Sequence, residues 1–400
     1  MTRSRSRRRR SAAVARALVV SAAAFAGAAL TSVVVSALAG YFVRRLLTPV
    51  RDKLDDTEVL SVGPGTVTIR ASDETVAAGR YALWLGGRET HVRLGEVVRA
   101  DGPTVTRVLA AVDGGSMRVG PARWDPYYYC GTPESALGIA HEVVDVDTDV
   151  GALPAWIVPG AVGGELAGGG LWAVHVHGRG ATREECLRGL PVLHRMGVSS
   201  IVPSYRNDAD IPELPGGRYH LGDTEWRDVE GAVRLALERG ADSVVLVGWS
   251  MGGAVAFQLL SRSRTASRVA GAVLDAPVVD WRDVLDHQAR VNRVPVWVAR
   301  LGLAALAQRQ ATRLFGVEGP VDLRRFDWVA RANELRTPLL VVHSDDDDFV
   351  PSRQSRALAQ ARPDLVTLVS YRGADHTCEW NVDTDRWEAA VAKFVRSHAR

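Results

Sequence analysis

From about Ala140 to the C-terminus, short β-branched runs alternate with segments whose apolar residues recur at helical spacing. Strand-like runs fall at Leu171–Val176, Ser200–Pro203, Ser243–Val247, Gly271–Leu274, Pro338–Val342 and Val366–Ser370. Helical segments lie at Arg183–Arg195, Trp226–Arg239, Gly253–Arg262, Arg353–Ala361 and Trp387–His398. Such alternation leaves few solutions, because strands that read as continuous apolar runs need helices on both faces of a mostly parallel sheet. A hairpin across Gly151, pairing Val143–Val146 with Ala155–Val158, precedes the series. In sheets of this kind, chemistry collects on loops beyond the carboxyl ends of the strands.

One such loop is unusual. The run Ser243–Val247 ends in Gly248-Trp249-Ser250-Met251-Gly252, the spacing G-x-S-x-G, and a helical segment follows at once. A serine on a sharp strand-to-helix turn is held with its hydroxyl exposed, and glycines two residues to either side leave room where backbone segments crowd. A hydroxyl becomes a useful nucleophile only when a base removes its proton and a third group orients that base. Later strand ends carry the matching types in the order Ser, Asp, His. Asp345-Asp346-Asp347-Asp348 follows the Pro338–Val342 run, and His376 follows the Val366–Ser370 run.

These residues resemble the α/β-hydrolase family, over about Ala140 to the C-terminus. The family's H-G-x-x-D-x-x-V-P pattern aligns with His343, Asp347, Val350 and Pro351, with Ser344 in place of the glycine. The resemblance therefore implies Ser250 as nucleophile, His376 as base and Asp347 as acid. Neighbouring Asp345, Asp346 and Asp348 remain alternatives, and Asp275 is a second candidate because some relatives place an acid there. It also implies an oxyanion hole from the amides of Met251 and Arg179, the latter in His175-Val176-His177-Gly178-Arg179-Gly180, with Gly180 in reserve. His175-x-His177 has a spacing that can bind zinc, but without a third ligand the better reading is that His177 hydrogen-bonds the loop. No metal and no organic cofactor is expected. Residues from about 278 to 335 exceed a plain crossover and are expected to form a helical cap.

The first part of the chain has a different rhythm. Over residues 59–129, bursts such as Thr66–Arg70 alternate apolar and polar residues between turn signals like Asp101-Gly102-Pro103. This predicts a small β-rich module, either a structural spacer or a shaper of the substrate site. The cluster Trp124-Asp125-Pro126-Tyr127-Tyr128-Tyr129 suits either a ligand surface or packing between domains. At about 70 residues the module is too short for the propeller that precedes the hydrolase domain in prolyl oligopeptidases, which needs 4 to 8 four-stranded blades.

Before the module, Ala17–Val43 contains no charged residue and is long enough to cross a bilayer, which takes about 20 residues. Seven arginines lie in the first sixteen residues, and fewer cations follow the run. This predicts a cytoplasmic tail over 1–16, a single-pass signal anchor over 17–43, a linker over 44–58 and an extracytoplasmic body at the cytoplasmic membrane. The alternative is secretion after cleavage at Ala37-Leu38-Ala39. Richness in Ala, Arg, Gly and Val resembles high-GC bacterial coding. The formal net charge of +3 belongs to the tail, so the body is acidic and no nucleic-acid partner is expected. Cys130, Cys186 and Cys378 form no metal or disulfide framework, though one pair could join in an oxidising compartment.

Together these readings predict an α/β-hydrolase fold with a helical cap, preceded by a β-rich module and an N-terminal transmembrane helix. The expected activity is cleavage of a small or lipid-like ester, with an amide as a further option. Alternatives are a peptidase resembling prolyl oligopeptidases, an acyltransferase, or a non-catalytic envelope-binding protein on the same fold. Oligomeric state is not legible.

Overall fold

The computed structural model describes residues 35, 37–49, 54–211, 217–310, 315–317 and 319–398. Strands β1 (Thr57–Gly63), β2 (Thr66–Arg70), β3 (Tyr81–Leu85), β4 (Thr90–Asp101), β5 (Thr104–Asp113) and β6 (Gly120–Asp125) close into a barrel in the order β1-β2-β5-β4-β3-β6. Every pairing in it is antiparallel. Alternation places Val67 and Ile69 of β2 in the barrel core while Thr66, Thr68 and Arg70 face outward. Closure leaves no edge strand, so a module this short can fold without propeller blades.

The barrel core is completed from elsewhere: Ala374 and Cys378, from the loop expected to carry the base, pack into it. Asn381 fastens the same seam, its Nδ2 donating to Arg80 O at 2.6 Å and Pro126 O at 2.7 Å. Of the aromatic cluster, Tyr128 and Tyr129 pack against Trp380.

The second sheet contains β7 (Glu142–Thr148), β8 (Gly151–Val158), β9 (Leu171–Val176), β10 (Ser199–Pro203), β11 (Ser243–Trp249), β12 (Val269–Asp275), β13 (Leu339–Ser344) and β14 (Val366–Tyr371). Its order is β14-β13-β12-β11-β9-β10-β8-β7, parallel except where β8 meets β7 and β10. The segment predicted as one helix over Arg183–Arg195 is a 3₁₀ turn, Arg183–Gly189, followed by a helix, Leu190–Met196. Pro191, near the start of that helix, has no amide to donate backward and favours a fresh start there.

Where the sequence predicts a cap, over about 278–335, the described residues include two helices, Trp281–Val291 and Val296–Leu306. Against the second packs a helix over residues 37–47, with Val43, Leu46 and Leu47 in the main core. Gly302 is what permits that approach, since a Cβ there would stand 2.7 Å from Val43 Cγ2. The predicted linker is therefore helical and docked over its first residues. Most of the predicted membrane span, residues 17–34 and 36, lies outside the described residues. Among the described residues no helix is long and apolar enough to cross a membrane. All three cysteines are free.

Candidate active site

The turn after β11 has the geometry its glycines imply. Ser250 sits at φ 53° and ψ −115°, a strained region for a residue with a side chain, between β11 and the helix Met251–Arg262. A Cβ at Gly252 would lie 2.0 Å from Val176 O, and one at Gly248 would lie 2.9 Å from Gly252 C and O. Only glycine fits either place. Two backbone bonds brace the turn, Ser250 N to Asp275 O at 2.9 Å and Val278 N to Ser250 O at 3.1 Å.

Three residues far apart in the chain meet here. His376 Nε2 is 2.8 Å from Ser250 Oγ, and His376 Nδ1 is 2.7 Å from Asp347 Oδ2. The other oxygen of Asp347 accepts from the amides of Phe349 at 2.9 Å and Val350 at 2.8 Å. His343 approaches Asp347 Oδ2 at 3.2 Å and is held by Ser355 Oγ at 2.8 Å. Burial works to raise the Asp347 carboxyl, but the charge of His376 and hydrogen bonds from His343 and His376 hold it well below the usual range. For His376 the balance also favours the ion: burial lowers the imidazole, and the Asp347 charge and hydrogen bond more than reverse that.

The competing acids are occupied elsewhere. Asp345 pairs with Arg356, Asp346 accepts from Gly373 N at 2.7 Å, and Asp348 is exposed. Asp275 does not bond His376; its Oδ2 accepts from Trp387 Nε1 at 2.6 Å. Burial, and after it the charge of Asp275, push adjacent Glu379 well above the usual carboxylate range.

The loop after β9 carries three amides near the serine. Gly178 N donates to Glu185 Oε2 at 2.5 Å, and Gly180 N to Tyr219 Oη at 3.3 Å. The amide of Arg179 lies between them with no acceptor among the described residues. Met251 is the first residue of its helix, where an amide has no acceptor within the helix. Two donors are thus uncommitted beside Ser250.

His177 stacks on Tyr205 at 4.2 Å, with Nδ1 3.0 Å from Gly178 O and Nε2 2.8 Å from Asp208 Oδ2. His175 turns away to Ser200 Oγ at 3.2 Å, and burial pushes it down to about 3. The pair does not share a ligand position. One grouping among the described residues, His91, Asp113 and Cys130, is close enough for a metal. Asp113 already accepts two bonds from Arg93, and burial lifts the Cys130 thiol to about 12, which disfavours the thiolate a metal needs.

Sequence reasoning missed the scaffold of the site. Arg188 is fully buried, and its Nη1 donates to Thr377 O at 2.7 Å and Asn381 Oδ1 at 2.9 Å. Thr377 itself has φ 57°, so this bond secures a strained residue next to His376. Arg188 also reaches Glu185 Oε1 at 3.4 Å, which links the His376 loop to the Gly178 loop. No local pattern marks these residues, since their partners are nearly 200 positions away.

Around Ser250 and His376 lies a cavity of about 590 Å³. Its walls come from the sheet loops, from Trp281 of the cap, and from Asp56, Asp73, Glu74, Tyr81, Trp124 and Tyr127 of the barrel or its flanks. The β-rich module is therefore a wall of the site as well as a packing partner.

Comparison with known proteins agrees with this architecture. Residues 168–394, more than half of the chain, match the alpha/beta hydrolase family. The chain belongs to the alpha/beta hydrolase family. Residues 58–125 match a domain family of unknown function. No curated protein sequence matches the chain. Among solved structures, this hydrolase resembles an esterase of Pyrococcus furiosus at TM-score 0.52 and 17% identity, over 68% of this chain and 96% of that one. An esterase of Thermogutta terrifontis is 20% identical at TM-score 0.44, over 65% and 100% of the two chains. At 17% identity the likeness to the Pyrococcus furiosus esterase bears on the fold alone.

Proposed function

We propose that the protein is a serine hydrolase that cleaves a carboxylic ester through an acyl-enzyme. The observation that carries this reading is the unbroken chain from Ser250 Oγ to His376 at 2.8 Å and from His376 to Asp347 at 2.7 Å. Ser250 Oγ attacks the carbonyl carbon while His376 takes its proton, and the amides of Met251 and Arg179 receive the oxyanion. When the bond to the leaving oxygen breaks, His376 returns the proton to the departing alcohol. Water then attacks the acyl carbon, His376 accepts its proton, and the acid leaves as Ser250 recovers its hydrogen. Asp347 stays ionised and supports the imidazolium throughout.

The uncharged run 17–43 supports a second part of the proposal, that the body works at the outer face of a bacterial cytoplasmic membrane. Leu38, Tyr41, Trp297 and Leu301 are exposed around the contact between helix 37–47 and the cap, a composition suited to a membrane interface.

The test is labelling of the full chain with a fluorophosphonate probe, beside Ser250→Ala and His376→Ala. Labelling that both substitutions abolish, with turnover of p-nitrophenyl esters, is the expected result. A folded parent that takes no label would overturn the reading.

A further inference from the structure

Residues beside the nucleophile carry charge that the chemistry above does not use. Asp56, Asp73 and Glu74, at the barrel and its flank, and Asp348 and Asp375, next in the chain to Asp347 and His376, line the catalytic cavity. Among the described residues none of the five forms an ion pair, although arginines pair with acids over most of the surface. Asp56 accepts from Trp124 N at 2.7 Å. The carboxyls crowd one another: partial burial raises Glu74, and the charges of Asp56, Asp375, Asp348 and Asp73 add to that rise. Asp375 is raised by burial and then by Asp348 and Asp347.

A second observation points to a ligand at the same place. Tyr81 is 1% exposed and lines this cavity, yet its hydroxyl has no hydrogen-bond partner. A buried hydroxyl left unpaired costs about 1–3 kcal/mol unless something supplies the bond. Aromatic faces complete the wall, with Tyr81 and Trp124 at 4.8 Å and Phe349 against His376 at 5.1 Å. Carboxylates at the rim and a hydroxyl oxygen free to accept are the recognition chemistry of an ammonium group with N–H donors.

The structure is also specific about what holds the acidic segment there. Arg107, wholly buried, donates to Thr75 O at 2.9 Å, Ala77 O at 2.8 Å and Gly79 O at 2.6 Å, which fixes the loop bearing Asp73 and Glu74. Its guanidinium also lies over the Tyr81 and Trp124 rings, 5.2 and 5.4 Å from their centroids, so the carboxylates and not these ring faces are left for a ligand. Arg179 also lines the cavity, and its charge neighbours are Tyr219, Arg45 and Tyr205, none of the five acids.

We infer that the barrel makes the enzyme selective for esters whose alcohol or acyl part carries a positive charge, bound by Asp73, Glu74 and Asp375 beside Ser250. This rests on the hydrolase reading, so its test separates the two. The full chain is assayed on 5-aminopentyl esters and hexyl esters of the same acids, acetyl to octanoyl, which match in length and differ in one charge. The expected result is a kcat/KM about tenfold higher for the aminopentyl ester at low salt, a ratio that shrinks as salt screens the rim. In the D73N/E74Q variant the ratio falls toward one. Equal rates, a preference for the neutral ester, a ratio indifferent to salt and to D73N/E74Q, or a probe-labelled protein that turns over neither series overturns the subsite. Failure of Ser250 to take the fluorophosphonate label overturns the hydrolase reading itself.

Discussion

At the scale of single residues, the site is a set of constraints that each admit one side chain. Gly252 is the tightest: with Val176 O 2.0 Å from where a Cβ would stand, Gly252→Ala has no space and no flexible neighbour to yield. We expect it to cost more than about 3 kcal/mol, read as a lowered urea midpoint or loss of soluble protein. Asp347 acts on His376 through charge and tautomer, so Asp347→Asn keeps the shape and should lower kcat by about ten-thousand-fold. The sign of the pH effect follows from the same pair. His376 must be neutral to accept the serine proton, and Asp347 raises it above the ordinary imidazole value of about 6.5. The kcat/KM of the parent should therefore rise with pH, with a midpoint above about 6.5, when followed over about pH 5 to 9. In Asp347→Asn the residual activity should titrate at lower pH, because burial is then opposed only by the smaller effects of Glu185 and Asp275. A midpoint that does not move would place the control elsewhere than in this carboxylate.

At the scale of elements, what the sequence reveals is what depends on neighbours along the chain. The strand Leu171–Val176 and the helix Arg353–Ala361 were legible to the residue, because apolar periodicity records which faces are covered. The G-x-S-x-G turn and the order Ser, Asp, His were legible because steric crowding and topology force them. Glu185, Arg188 and Asp208 were not, since a buried charge takes its meaning from partners that only the fold brings near. No sequence signal marks Asp73 and Glu74, because only the closed barrel brings them to the cavity that holds His376. Arg107 is the element-scale device that holds it there. Arg107→Met would leave Gly95 O, Thr75 O, Ala77 O and Gly79 O without their donor inside the barrel. The expected loss is about 3 kcal/mol or more in urea unfolding of the full chain, with a fall in the cationic-to-neutral ester ratio. Unfolding free energy that changes by less than about 1 kcal/mol would mean that the loop is held by other contacts.

At the scale of the whole molecule, the docked helix over residues 37–47 changes what an anchor would do. Ala39 and Val43 are buried against the cap, so the end of the uncharged run belongs to the body. Residues 17–38 remain, and these still exceed the roughly 20 that a bilayer requires. With no slack chain between span and body, the cap would sit against the headgroups, where exposed Tyr41 and Trp297 are favourable and where esters that partition into lipid are concentrated. If the run spans a membrane, the proposed orientation rests on the seven arginines ahead of it, which would resist translocation. In a bacterial host, the chain should sediment with membranes, resist extraction by salt and alkaline carbonate, and dissolve in detergent. Protease added to spheroplasts should degrade the body, since residues 54–398 would lie outside. Recovery in the soluble fraction at full length would remove the anchor. Recovery of a mature chain beginning near Gly40 would favour cleavage, and would leave helix 37–47 without the turn that carries Ala39 onto Gly302.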